Sequence, residues 1–86
     1  MTTKQLIARI KKYYRLYGEQ SLTGIDVPIN DDLTGETVSL EKLGTDDGEI
    51  GVFCRDNSWF IPLEELVYKE LSKVMKNIYV NLSKKK

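Results

Sequence analysis

An α+β fold is what the sequence predicts, in the order N-terminal helix, extended segment, three-stranded antiparallel β-meander, C-terminal helix. Three observations lead there. Apolar residues recur at helical spacing at both ends of the chain, and they alternate with a period of two in the middle. Turn chemistry of the hairpin kind, around Thr45 to Gly48 and at Asp56-Asn57, divides that middle region. Eighty-six residues, 1–86, make a single small globular domain. Its core is small, so every large apolar side chain counts.

The first helix is expected over residues 3–17. Thr2-Thr3-Lys4-Gln5 has the form of a capping box, a Thr N-cap with a Gln three residues later reaching back to its N–H. Leu6, Ile7, Ile10, Tyr13, Tyr14 and Tyr17 fall within an arc of about 120° on a helix. That places the tyrosine rings in the core with their hydroxyls at its edge. Lys4, Lys11, Lys12 and Arg15 lie on the other side. Gly18 is placed to stop the helix in a left-handed conformation.

Ile25, Val27 and Ile29 alternate with polar residues and Pro28. Because proline donates nothing to a ladder, this reads as an edge strand or an extended stretch over the core. Residues 30–35 carry turn chemistry, but without the ligand spacing of a calcium loop. Residues 37–43 read as the first firm strand, in which Val38 and Leu40 share a face and Leu43 falls on the other. A bulge near Gly44, or a strand ending at Lys42, would reconcile them. A three-residue loop from Asp46 to Gly48 sets Leu40 opposite Cys54.

In the second hairpin a two-residue Asp56-Asn57 turn pairs Arg55 with Ser58, Cys54 with Trp59, Phe53 with Phe60 and Val52 with Ile61. Ile50, Val52, Cys54, Trp59 and Ile61 then share one face, and both phenylalanines occupy the other beside Gly51. Pro62 suits the first position of the second helix. Leu63, Val67, Leu71, Val74, Met75 and Ile78 form its buried stripe. Residues 78–82 continue the helix or alternate as a fourth strand; the absence of Gly and Pro favours helix. Residues 83–86 read as a frayed basic tail, and both helices are expected on one face of the sheet.

Composition narrows the function classes. There is no histidine and one cysteine, so Ser-His and Cys-His pairs and the usual zinc spacings are absent, as is any internal disulfide. No glycine-rich phosphate loop occurs. The expectation is therefore a non-enzymatic chain with no catalytic residues, no cofactor, no metal and no small-molecule site. No apolar run is long enough for a bilayer, and the first residues lack a signal-peptide h-region. With the single thiol, this reads as cytoplasmic, without membrane association.

Charge is balanced overall but not locally. Residues 1–18 carry five cations and no acid, and residues 19–56 carry ten acids against Lys42 and Arg55. Two partner classes follow. A protein-interaction domain, dimeric with itself or joined to another protein, would use the sheet face with Phe53, Phe60 and Gly51, provided the helices leave that face open. A nucleic-acid-associated accessory protein would use Lys4, Lys11, Lys12 and Arg15. A sequence pI near 6.2 is low for such a binder, so the first class is preferred.

Overall fold

The computed structural model describes residues 1–28, 35, 37–54 and 59–84. Helix α1 spans Thr3–Tyr17, as the sequence predicts. Its first turn is closed by the reciprocal bonds of the capping box: Gln5 N–H donates to Thr2 Oγ1 at 3.1 Å, and Thr2 N–H to Gln5 Oε1 at 2.9 Å. At the far end Gly18 N–H donates to the Tyr14 carbonyl at 2.8 Å. Gly18 turns the chain away at φ +78°, ψ −159°, a region open only to glycine and distinct from the left-handed helical one.

Among the described residues five strands follow, β1 at Gln20–Ser21, β2 at Asp26–Pro28, β3 at Thr37–Asp46, β4 at Glu49–Cys54 and β5 at Phe60–Pro62. All pairings are antiparallel, with β3 between β4 on one side and both β1 and β2 on the other. The expected meander is therefore present as β3–β4–β5, extended by two short edge strands to five. Residues 20–28 run along β3 as one broken edge. Leu22 N–H donates to the Glu41 carbonyl, and Leu40 N–H to the Ile25 carbonyl. Val27 is buried and Pro28 ends β2; Ile29 and most of the predicted 30–35 turn lie outside the described residues.

Strand β3 corrects three expectations at once. Its hairpin to β4 is a two-residue turn, with Asp47 at φ 55° and Gly48 at φ +83°, the signs that a type I′ turn requires. Asp46 therefore belongs to the strand and pairs with Glu49. The additional residue sits at Glu41, where the register shifts between Leu40 and Lys42. The bulge is thus at Glu41 and not near Gly44, and the strand does not end at Lys42. Leu40 still meets Cys54, while the shifted phase brings Leu43 to the same inner face, fully buried.

The β4–β5 register is Phe53 with Phe60 and Val52 with Ile61, as predicted. Cys54 N–H donates to the Trp59 carbonyl at 3.0 Å, and Cys54 is 3% exposed. The Asp56-Asn57 turn and the Arg55–Ser58 pair lie outside the described residues.

Pro62 closes β5 and does not open the second helix. A 3₁₀ turn at Leu63–Glu65 follows, the chain becomes extended at Leu66, and α2 spans Tyr68–Lys84. The tighter turn sets residues i and i+3 on one side, so Leu63 and Leu66 both enter the core. Val67, expected in the buried stripe, is left 59% exposed. Glu70 Oε1 accepts from Val67 N–H at 3.1 Å and caps the new helix start. Residues 78–82 are helical, and α2 runs through Ser83 and Lys84, two residues into the expected tail.

Both helices lie on the inner face of the sheet. Leu6 and Ile10 of α1 and Leu71, Val74 and Ile78 of α2 share one cluster with Leu40, Leu43, Val52, Cys54 and Ile61. Burial of each such side chain contributes about 1.5–3 kcal/mol. Met1 and Tyr68 line one cleft, and Tyr13 meets Tyr79 further along, so the helices run parallel. Amide side chains fasten α2 to the β1 edge. Asn77 Oδ1 accepts from Thr23 N–H at 3.0 Å, and Asn81 Nδ2 donates to the Ser21 carbonyl at 2.8 Å.

Candidate functional site

Alternation along β4 and β5 sends Phe53 and Phe60 to the outer face, away from both helices. Their rings meet edge to face, with centroids 5.1 Å apart and planes at 60°. Both are half-buried, although neither the helices nor the Ile25–Val27 segment covers them. The glycines explain this. Gly44 and Gly51 are register partners beneath the rings. A Cβ on Gly51 would fall 2.6 Å from Phe60 Cζ, and one on Gly44 3.1 Å from Phe53 Cε2. The rings lie down across two glycines and shield the backbone there. Gly51 was expected as a neighbour of the pair; the role of Gly44 became visible only when the bulge at Glu41 set its phase.

The surroundings of the pair are acidic. Glu49 and Asp46 project from the same face at the hairpin end by alternation, and both are exposed. Lys42 Nζ stands 5.2 Å from the Phe53 ring centroid, a contact worth about 0.5–1 kcal/mol at an exposed position. Glu19 Oε2 lies 3.5 Å from the same ammonium. An aromatic pair therefore sits among carboxylates, with a lysine of its own chain already over one ring.

The second candidate set is only partly open. Lys4, Lys12 and Arg15 are exposed, but Lys11 is half-buried and donates to Glu64 Oε2 at 2.8 Å. That hydrogen bond holds the Glu64 carboxyl below its ordinary value. Lys11→Gln is expected to cost at most about 0.5 kcal/mol near neutral pH, because Glu64 is exposed and water screens the pair. Since the folded carboxyl is the stronger acid, this contribution is present above the ordinary carboxylate pKa and disappears as pH falls through the lowered one. Urea unfolding of both proteins at about pH 7 and about pH 2 checks this. A difference that persists in acid would show that Lys11 acts through packing instead.

Of the three tyrosines of α1, Tyr13 and Tyr14 pack against the core as expected, and Tyr17 departs from the expectation. Tyr13 and Tyr14 are half-buried, with their rings on the core, and Tyr17 is exposed. Tyr13 stacks on Tyr17 with centroids 6.0 Å apart and meets Tyr79 of α2 edge-on at 5.9 Å. A hydrogen bond with Tyr79, reinforced by the neighbouring phenols, raises the Tyr13 pKa above its ordinary value. Tyr79 falls outside the predicted stripe of α2, and nothing in the helical period of either segment alone pairs it with Tyr13.

Among the described residues no three His, Cys, Asp or Glu side chains are grouped as metal ligands, and no helix is long and apolar enough to cross a membrane. In comparisons with family models, curated proteins and solved structures, nothing matches this chain.

Proposed function

We propose that this chain is a small non-enzymatic protein-interaction domain that receives a basic segment of a partner protein on the outer sheet face, at Phe53 and Phe60. The observation that carries the reading is the aromatic pair itself, laid over Gly44 and Gly51 on a face that no helix covers. Aromatic clusters of this kind, apolar at the centre and polar at the rim, are where binding energy concentrates in protein interfaces. The rim supplies the sign of the partner. Asp46 and Glu49 favour lysine or arginine, and the Lys42–Phe53 contact is a local example of a cation held over the ring. Self-association through the same face would set those carboxylates against their own copies, so the heterotypic partner is preferred.

Selection from a displayed library of short random peptides tests this. Recovered sequences should be enriched in Lys and Arg. Phe53→Ser with Phe60→Ser should weaken their binding about ten-fold or more while the helical circular dichroism is kept. Asp46→Lys with Glu49→Lys should do the same without touching the rings. Enrichment of acidic sequences, or binding indifferent to both double variants, would sink the proposal. So would a dimer in light scattering that Phe53→Ser with Phe60→Ser converts to monomer.

A further inference from the structure

The seven large hydrophobic side chains most exposed among the described residues are Met1, Leu16, Tyr17, Val67, Tyr68, Tyr79 and Val80. All of them belong to α1 or α2 or lie within two residues of one of these helices. None is on the sheet. Scattered apolar residues need no account, but concentration on one layer of a small domain does.

Part of this set lines a cleft. Because α1 and α2 run parallel, their outward flanks enclose a groove of about 220 Å³, walled by Arg9 and Met1 on one side and by Tyr68, Met75, Lys76 and Tyr79 on the other. At its far end Tyr13, stacked on Tyr17, meets Tyr79 edge-on and closes the gap between the helices. The groove therefore has apolar and aromatic walls from Met1 along the first two turns of α1 to Arg9, and along α2 from Tyr68 to Tyr79.

Its rim has one dominant sign. Arg9 and Lys76 line the groove, Lys12 stands with Arg9 in the adjoining depression, and no carboxylate lines either. Lys11 and Glu70 are held elsewhere, by Glu64 and by the Val67 N–H, so the charge around the groove is that of Arg9, Lys12 and Lys76. From its place on the outer layer, opposite the Phe53–Phe60 face, it is independent of the proposed basic-segment site.

From these observations we infer that the α1–α2 groove docks an acidic amphipathic helix of a partner protein. A groove between two packed helices accepts a third helix at the usual interaxial spacing of about 8–10 Å. The occupant presents apolar residues at positions i, i+3, i+4 and i+7 to the tyrosines and methionines. Its flanking carboxylates meet Arg9, Lys12 and Lys76. The ring geometry favours a helix over a nucleic-acid strand. Tyr13 is occupied by Tyr17 on one side and by Tyr79 on another, whereas a base-stacking platform needs open ring faces.

The test is selection by the whole chain from a displayed library of four-turn helical peptides, followed by binding titrations with the recovered peptides. Recovered peptides should combine an apolar stripe with Asp or Glu on its flanks. Arg9→Glu with Lys76→Glu, and separately Tyr68→Ser with Tyr79→Ser, should each weaken binding about ten-fold or more. Phe53→Ser with Phe60→Ser should leave it unchanged, which separates this site from the sheet face. Failure to recover acidic helices overturns the inference, as does binding that survives both groove variants. It is equally overturned if a single-stranded oligonucleotide or an anionic phospholipid vesicle binds tighter than the peptides.

Discussion

Gly51→Ala is expected to destabilise the fold by about 2–3 kcal/mol, toward the upper part of the usual range for overpacking. The added methyl group would point to the outer face beneath Phe60. There it would meet the Ile61 carbonyl oxygen, Phe60 Cζ at 2.6 Å and Pro62 Cα at 2.9 Å. Two of those three atoms are backbone, so turning a side chain relieves little, and β5 itself would have to move away from β4. Gly44→Ala supplies the contrast. Its neighbours are the Phe53 ring at 3.1 Å and the Glu19 carboxylate at 3.5 Å, both free to give way, and the cost should stay below about 1 kcal/mol. Urea unfolding of the two variants measures the difference. Equal costs would mean that β5 is not held over Gly51 as described.

Leu43→Ala is expected to cost about 3 kcal/mol, within the range of about 2–5 kcal/mol found for emptying a leucine site in a packed core. Leu43 is fully buried on β3, between Gln20 of β1 and Val52 of β4. It reaches the inner face only because of the register shift at Glu41. On an unbulged strand in phase with Leu40 it would point outward, and its truncation would change stability by no more than about 0.5 kcal/mol. The unfolding free energy of this variant therefore reports on the bulge as well as on the cavity.

What could be read in advance follows from how many local features agreed. Helix α1 was legible to the residue because the Thr2 cap, the Leu6–Ile10 period and the Gly18 stop all pointed to one answer. The β4–β5 register was legible because one pairing puts Val52, Cys54 and Ile61 together and both phenylalanines opposite. Strand β3 was not, because a residue added in a bulge and a residue added in a loop give the same Leu40–Cys54 pairing. The pairing of Asp46 with Glu49 and the φ angles of Asp47 and Gly48 separate them. Pro62 misled for a related reason: proline serves the end of an edge strand as well as the start of a helix. Gln20–Ser21 is too short to show a period at all. Of the candidate surfaces, Phe53, Phe60 and Gly51 were legible from alternation. Gly44 and the Tyr13–Tyr79 contact depend on elements distant in the chain, which no local pattern records.

The parallel arrangement of α1 and α2 has a consequence for the order in which the chain can fold. Helix α1 meets its neighbour only when an element about fifty residues later in the chain, α2, has been made, since Tyr13 waits for Tyr79 and Leu6 for Met75. Until then Leu6 and Ile10 lack one side of their final surroundings. Contacts so distant along the chain are slow to form, because a long loop must close before they return any stabilisation. During synthesis α1 is thus a sticky amphipathic segment ahead of an unfinished sheet, a natural point of engagement for chaperones.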